Sequence, residues 1–301
     1  MKSFVEESRQ SVAVIIPTRN RPNELSSVLE CLAEQSLQPV VVIVVDSSDS
    51  RFSKEFEPKL QNYIYIHTTS RSAAMQRNIG MDWIWDNEKN LQFIAFVDDD
   101  VLLPTHYLEI LVDNLIEDSE LAGVSGIAGL ENYYKSEKII TNLIGITGIQ
   151  GRITKACVNI PVKPGQGLVK SADWLIGCSL WRYSDISNIF FEKDFEGNSI
   201  FEDVIFSHRV KHLRQKKLCV NSDLIFDHLI SPIERENDRS QYRNWVINRS
   251  RFQSIFPTSF PRNRLILHSI VLVVGFLLSP ILQKRRRHSA LGILDALRFI
   301  L

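Results

Sequence analysis

Three short apolar runs, each ending on a polar residue, constrain this chain more than any other feature. Ser11 to Ile16 (SVAVII) is a β-branched run stopped by Pro17 and followed by Thr18; Val40 to Val45 (VVVIVV) ends at Asp46. Leu91 to Val97 runs straight into Asp98-Asp99-Asp100. Continuous apolar runs of this length suit strands buried on both faces, the pattern of a mainly parallel sheet covered by helices. Between them, Leu25, Val28, Leu29 and Leu32 recur at helical spacing behind Pro22, which predicts a helix to about Ser36. Tyr63 to His67 reads as a weaker strand and Ser70 to Trp85 as a second helix. The resulting β-α-β-β-α-β order is that of an α/β protein. Ligands of such sheets bind beyond the carboxyl ends of the strands, where Thr18, Asp46 and the aspartate triplet all fall.

Composition narrows the classes. With 35 Lys and Arg against 35 Asp and Glu, net charge offers no argument for nucleic-acid binding, and no nucleic acid is expected as a partner. A hydrophobic share of 44% and a mean hydropathy of −0.06 describe a folded protein and exclude several membrane spans. Cys31, Cys157, Cys178 and Cys219 are far apart, so neither a disulfide framework nor a zinc site is expected, and a reducing cytosol is the simplest compartment. Met1 to Gln10 is polar and is no signal peptide.

From about Glu131 the pattern weakens. Glu131 to Leu168 reads as a variable loop region with glycines at 145, 148, 151, 165 and 167. Asp173 to Arg182 is apolar again, and Phe201 to Lys211 opens a helix with Phe206, Val210 and Leu213 on one face. Leu218 to Phe226 reads as a last strand before His228. Three adjacent carboxylates repel one another, and a divalent cation is the usual remedy. Oxygen ligands suit Mg²⁺ or Mn²⁺, and Mg²⁺ takes one or two carboxylates plus phosphate oxygens. A solvated turn is the plain alternative.

These pieces together resemble a known family. VAVIIPTRNRP at 12–22, VVIVVDSSDS at 41–50, AAMQRNIG at 73–80 and FIAFVDDDVLLP at 93–104 look like the nucleotide-binding half of a family 2 glycosyltransferase, the inverting enzymes of the GT-A fold. IGCSLWR at 176–182 resembles the family's acceptor-side segment, and FEDVIFSHRV at 201–210 its Glu-Asp motif. The resemblance covers roughly residues 12–252. It implies a Rossmann-like mixed sheet flanked by helices, divided into a nucleotide-sugar half at 11–130 and an acceptor half at 131–228, with an N-terminal extension at 1–10. It further implies that Thr18, Arg21 and Asp46 hold base and ribose, that Arg71 and Arg77 sit near the phosphates, and that Asp98 faces the ribose while Asp100 faces an Mn²⁺ or Mg²⁺ ion. Asp99 is acidic too, so the sequence leaves open which two of the three ligate. In the same way, Asp203 is the expected general base with Glu202 in support, and Trp174, Gly177 and Cys178 are expected near the acceptor. His228 completes the metal shell in this reading, or is a hydrogen-bonded structural residue. Arg71 and Arg77 have the alternative of being exposed helix charges.

The implied activity is transfer of a sugar from a nucleotide-sugar donor to a hydroxyl of a glycan or lipid-linked glycan, in polysaccharide or glycolipid assembly. A sugar-phosphate nucleotidyltransferase would show a Gly-rich phosphate loop after the first strand, and Pro17-Thr18-Arg19-Asn20 is not one. A glycan-binding scaffold on a degenerate fold is opposed by the intact acid sets at 98–100 and 202–203.

The segment 229–264 is rich in arginine (235, 239, 243, 249 and 251) and is expected to form a helix near the diphosphate and acceptor. Leu265 to Gln283 carries no acid and no Lys or Arg for nineteen positions, then meets Lys284-Arg285-Arg286-Arg287. A single span would place that basic cluster outside, against the positive-inside tendency. A hairpin over 265–301 lying on the cytoplasmic face of the membrane keeps every cation near anionic headgroups, and a homodimer interface is the alternative.

Overall fold

The computed structural model describes residues 11–51, 60, 62–88, 90–129, 149–193, 195, 200–229, 231, 233, 237–278 and 283–301. The N-terminal extension, Gly145, Gly148 and Arg235, each singled out above, lie outside the described residues.

Strands β1 (Val12–Thr18), β2 (Val41–Asp46), β3 (Tyr63–His67) and β4 (Phe93–Phe96) are mutually parallel, in the spatial order β3-β2-β1-β4. Helices α1 (Pro22–Ala33) and α2 (Ala73–Asn87) are the crossovers between them. The sheet then becomes mixed. Strand β8 (Ser179–Arg182) runs antiparallel to both β4 and β6 (Leu121–Ala128), and β9 (Lys217–His228) is parallel to β6. Two short strands, β5 (Val101–Leu102) and β7 (Leu168–Ala172), pair antiparallel with β9. The remaining helices are α3 (Tyr107–Glu117), α4 (Tyr183–Ile186), α5 (Glu202–Arg214), α6 (Asp238–Ile255), α7 (Arg262–Leu278) and α8 (Gln283–Ile300).

Alternation along β1 divides the core. Ala13 and Ile15 join one buried cluster with residues of α2 and α5, while Val12, Val14 and Ile16 join another with Leu25, Leu29, Leu108 and Leu111 of α1 and α3. Burying one such Val or Ile side chain contributes about 1.5–3 kcal/mol. Gly80 allows α2 to lie directly on the sheet: a Cβ there would come within 2.6 Å of Ile15 Cγ2.

The first strand is longer than its sequence pattern predicts. It passes through Pro17, which pairs in register with Val45, and ends at Thr18. Odd residues of β1 face β4, and that ladder ends at the Ile15–Phe96 pair, with Val97 N–H donating to the Ile15 carbonyl. The N–H that Pro17 lacks therefore has no ladder partner to miss. Leu213 also departs from expectation: Phe206 and Val210 of α5 are buried, but Leu213 is exposed.

Candidate active site

The carboxyl ends of β1, β2 and β4 open onto a cleft of about 550 Å³, whose lining includes Thr18, Arg21, Arg71 and Arg77 together with Asp98, Asp99 and Asp100. Glu202, Asp203, Trp174, Gly177 and His228 line the same cleft. Residues spread over most of the sequence thus converge on one cavity.

Each aspartate of the triplet has a different setting. Asp98 accepts from Arg77 Nη2 at 2.6 Å and keeps about 29% of its side-chain surface. Asp99 is buried; it accepts from the Thr18 hydroxyl at 2.7 Å and from Arg21 Nη1 at 2.8 Å. Burial pushes its carboxyl up to about 6, with Arg21 and Thr18 opposing. Asp100 lies 3.1 Å from His228 Nε2 and accepts from the Ser231 N–H at 3.1 Å. Burial raises it too, but His228, that N–H and Arg21 outweigh burial and hold Asp100 below the usual carboxylate range. The Asp100–His228 pairing follows from strand register: Val101 of β5 sits opposite His228 of β9.

Arg77 connects the triplet to the start of α5. It is buried, donates to Asp98, and also donates to Glu202 Oε1. It is therefore an interior ion-pair bridge rather than an exposed helix charge. The flanking amides of the same motif are structural. Gln76 Nε2 donates to the Thr18 and Val45 carbonyls, closing the ends of β1 and β2, and Asn78 exchanges two hydrogen bonds with the backbone of Phe191. Arg71, by contrast, is more than half exposed and pairs with Asp49 at the rim.

Asp203 lies in the first turn of α5, where its Oδ1 accepts the Val204 N–H at 2.8 Å. Removal from bulk water raises its carboxyl to about 6, against the pull of that N–H and of Arg77. A carboxylate near this value is ionised at neutral pH and basic enough to take a proton from a hydroxyl as a bond forms. Phe201, immediately before the helix, holds φ at 80°, a left-handed conformation unusual for an aromatic residue.

Two expected site residues are not at the cleft surface. Asp46 is fully buried, and its oxygens are used by the Ser48 N–H and hydroxyl and by the Tyr65 hydroxyl. It shapes the turn from which Ser47 reaches the cleft. Cys178 is likewise fully buried, in the core between sheet and α3. Its neighbour Gly177 lines the cleft and has no room for a side chain: a Cβ would come within 2.7 Å of Asp98 Oδ2, whose carboxylate Arg77 already holds. Of the arginines on α6, none lines the cleft; Arg239 pairs with Asp295, Arg243 lies over Phe299, and Arg249 is buried. The helix instead presents Gln241 and Trp245 to the cavity, neither of which the charge pattern singles out.

Among the described residues, no group of three or more His, Cys, Asp or Glu side chains is placed to hold a metal ion. Asp100 and His228 are nevertheless a fitting pair for a cation that takes its other ligands from a bound diphosphate, since such ions need few protein ligands.

Comparison with known proteins agrees with this architecture. The family model "Glycosyl transferase family 2" matches residues 13–165. Hyaluronan synthase of Pasteurella multocida is 26% identical over 222 residues, covering 67% of this chain but 22% of that protein. TarS of S. aureus superposes with a TM-score of 0.52 at 14% identity over 95% of this chain and 43% of its own. The mannosyltransferase PcManGT of Pyrobaculum calidifontis, solved with GDP-Man and Mn²⁺, superposes at 0.59 and 14% identity over 96% and 86%. The fold is that of the GT-A sugar-transferring enzymes. The chain belongs to glycosyl transferase family 2.

Proposed function

We propose that this chain is a divalent-cation-dependent, inverting glycosyltransferase that moves a sugar from a nucleotide-sugar donor to a hydroxyl of a glycan or lipid-linked glycan, in polysaccharide or glycolipid assembly. The observation that carries this reading is the placement of Asp203 in one cleft with the aspartate triplet, with Arg77 joining Asp98 of the triplet to Glu202, the residue before Asp203. Donor binding falls to the side built from the ends of β1, β2 and β4, with the largely exposed Arg71 available to phosphate oxygens and Asp98 to the ribose. The acceptor lies on the side of Asp203, Trp174 and Trp245. Asp203 takes the proton of the acceptor hydroxyl as its oxygen bonds to the anomeric carbon, and the bond from that carbon to the diphosphate breaks with its electron pair, inverting the centre. Asp100 and His228 would hold Mn²⁺ or Mg²⁺, which supplies positive charge to the departing diphosphate. Incubation with a panel of nucleotide sugars, with and without Mn²⁺, should give cation-dependent release of nucleoside diphosphate from one donor class. Release from none of them overturns the reading.

The same reading puts the enzyme on the cytoplasmic face of a membrane through α7 and α8. Among the described residues no helix is long and apolar enough to cross a membrane. Support comes instead from the outer face of α7, where Leu267, Ile270, Val274 and Leu277 are each about half exposed in one stripe. Residues 262–301 hold seven cations (Arg262, Arg264, Lys284, Arg285, Arg286, Arg287 and Arg298) against the single acid Asp295. Lipid headgroups complement that excess, whereas a second copy of the chain would duplicate it. The full-length protein should float with vesicles containing phosphatidylglycerol and lose that association in high salt, each cation contributing roughly 1 kcal/mol. Leu267→Gln with Leu277→Gln should weaken it further. A salt-resistant dimer that ignores vesicles would make the stripe a subunit interface.

A further inference from the structure

One cation of α6 has no part in the chemistry above. Arg249 is fully buried, yet its hydrogen bonds go to two backbone carbonyls and an imidazole rather than to a carboxylate. Its Nη1 has no hydrogen-bond partner among the described residues. A guanidinium so placed is a poor way to stabilise a fold, since buried charges ordinarily require a paired opposite charge. Its geometry offers another use.

Three parts of the molecule meet on it. Its guanidinium carbon lies 4.2 Å from the ring centroid of Trp245, one turn earlier on α6, whose indole lines the cleft. Its Nε donates to the Cys157 carbonyl at 3.0 Å and its Nη2 to the Ala156 carbonyl. These carbonyls begin the segment whose Asn159, Pro161 and Val162 form part of the cleft wall, and Cys157 itself is held at a left-handed φ of 58°. Nη2 also lies 3.1 Å from His268 Nδ1 on α7, an arrangement that requires that nitrogen to accept.

We propose that Arg249 is a positioning residue for the acceptor: it clamps the indole of Trp245 and the 156–162 wall in one relation and ties both to α7 through His268. The proposal rests on the reading of the cleft as a sugar-transfer site with its acceptor beside Asp203. It also makes the hairpin a structural part of that site rather than an appended anchor. Only a planar fork can stack on an indole while donating to several acceptors in its own plane, so Lys is not an equivalent.

The test uses the full-length protein, its preferred nucleotide sugar, and p-nitrophenyl glycosides of glucose, galactose, mannose, N-acetylglucosamine and glucuronic acid as acceptors. In Arg249→Lys, the acceptor KM should rise by about tenfold or more while nucleoside diphosphate affinity by calorimetry stays within about twofold. Trp245→Ala should show the same split, and the double variant should be little worse than Trp245→Ala alone. Independently of any acceptor, the near-ultraviolet dichroism band lost in Trp245→Phe should also be lost in Arg249→Lys. An unchanged acceptor KM, a parallel loss of donor affinity, full additivity with Trp245→Ala, or a retained indole band would each overturn the proposal. If the parent releases no nucleoside diphosphate from any donor, the glycosyltransfer reading has failed first, and this one falls with it.

Discussion

Asp203→Asn is expected to slow sugar transfer by a factor on the order of 10² to 10⁴ while making the folded protein more stable at neutral pH and above. Both effects have one cause. The carboxyl at 203 is raised from 3.8 to about 6 because folding withdraws it from water, so its ionised form is disfavoured in the native state. As pH rises from below the unfolded value through about 6, the parent loses stability by on the order of 1–2 kcal/mol, allowing for water that reaches the group through the cleft. Asn keeps the shape and can still accept the Val204 N–H, but carries no charge and takes no proton. Thermal unfolding should therefore show the variant ahead of the parent by a few degrees above about pH 7, with the gap closing in acid as the parent's carboxyl protonates. In the parent, kcat/KM should fall as pH drops through about 6. A variant that transfers sugar at the parental rate removes Asp203 from the mechanism.

Asp100→Ala should abolish the Mn²⁺-dependent part of nucleoside diphosphate binding. Of the three aspartates, Asp100 is the one paired with an imidazole and held below the usual carboxylate range despite burial, so it offers a full charge at any working pH. Losing the carboxylate leaves His228 alone, and a single imidazole is a weak ligand for Mg²⁺ or Mn²⁺. The backbone bond from the Leu229 N–H to the Asp100 carbonyl is untouched, so unfolding should remain cooperative. Calorimetric titration with nucleoside diphosphate, with and without Mn²⁺, reads the result. Equal cation enhancement in parent and variant would exclude Asp100 as a ligand.

What the sequence reveals and conceals has physical grounds. Strands β1 and β2 are visible because they are buried on both faces and so are rich in β-branched residues. Helix α1 is visible because its buried residues sit on one stripe. Helix α3 carries a comparable stripe in Leu108, Leu111, Val112 and Leu115, which the reading of the sequence leaves unassigned, whereas β6 gives no such signal. Strand β6 reads LAGVSGIA because its neighbours need room: a Cβ at Gly123 would press on the Trp181 ring, and one at Gly126 on the Leu224 carbonyl and the Tyr107 ring. Small residues chosen for a neighbour's bulk carry no periodicity of their own. The triplet and the Glu-Asp pair are legible as chemistry, and the cleft contains both. Asp46 and Cys178 show the limit, since a strand-end acid and a motif cysteine look the same in sequence whether they face a ligand or the core. The arginines of α6 mislead in the same way: partners distant along the chain, such as Asp295, the Ala156 carbonyl and His268, decide where each one points.

The two-residue strand β5 has a consequence for how this protein comes into being. Asp100 meets His228 only because Val101 pairs with the far end of β9, closing a loop on the order of 130 residues. Such distant pairings are entropically costly and form late, after local helices and hairpins. A ribosome that has produced the triplet but not β9 therefore carries three crowded carboxylates and no imidazole to join them. Any cation they attract at that stage meets only part of the mature ligand set. On the cation reading proposed above, the Asp100–His228 pair is complete only in a molecule whose last strand, β9, is already in place.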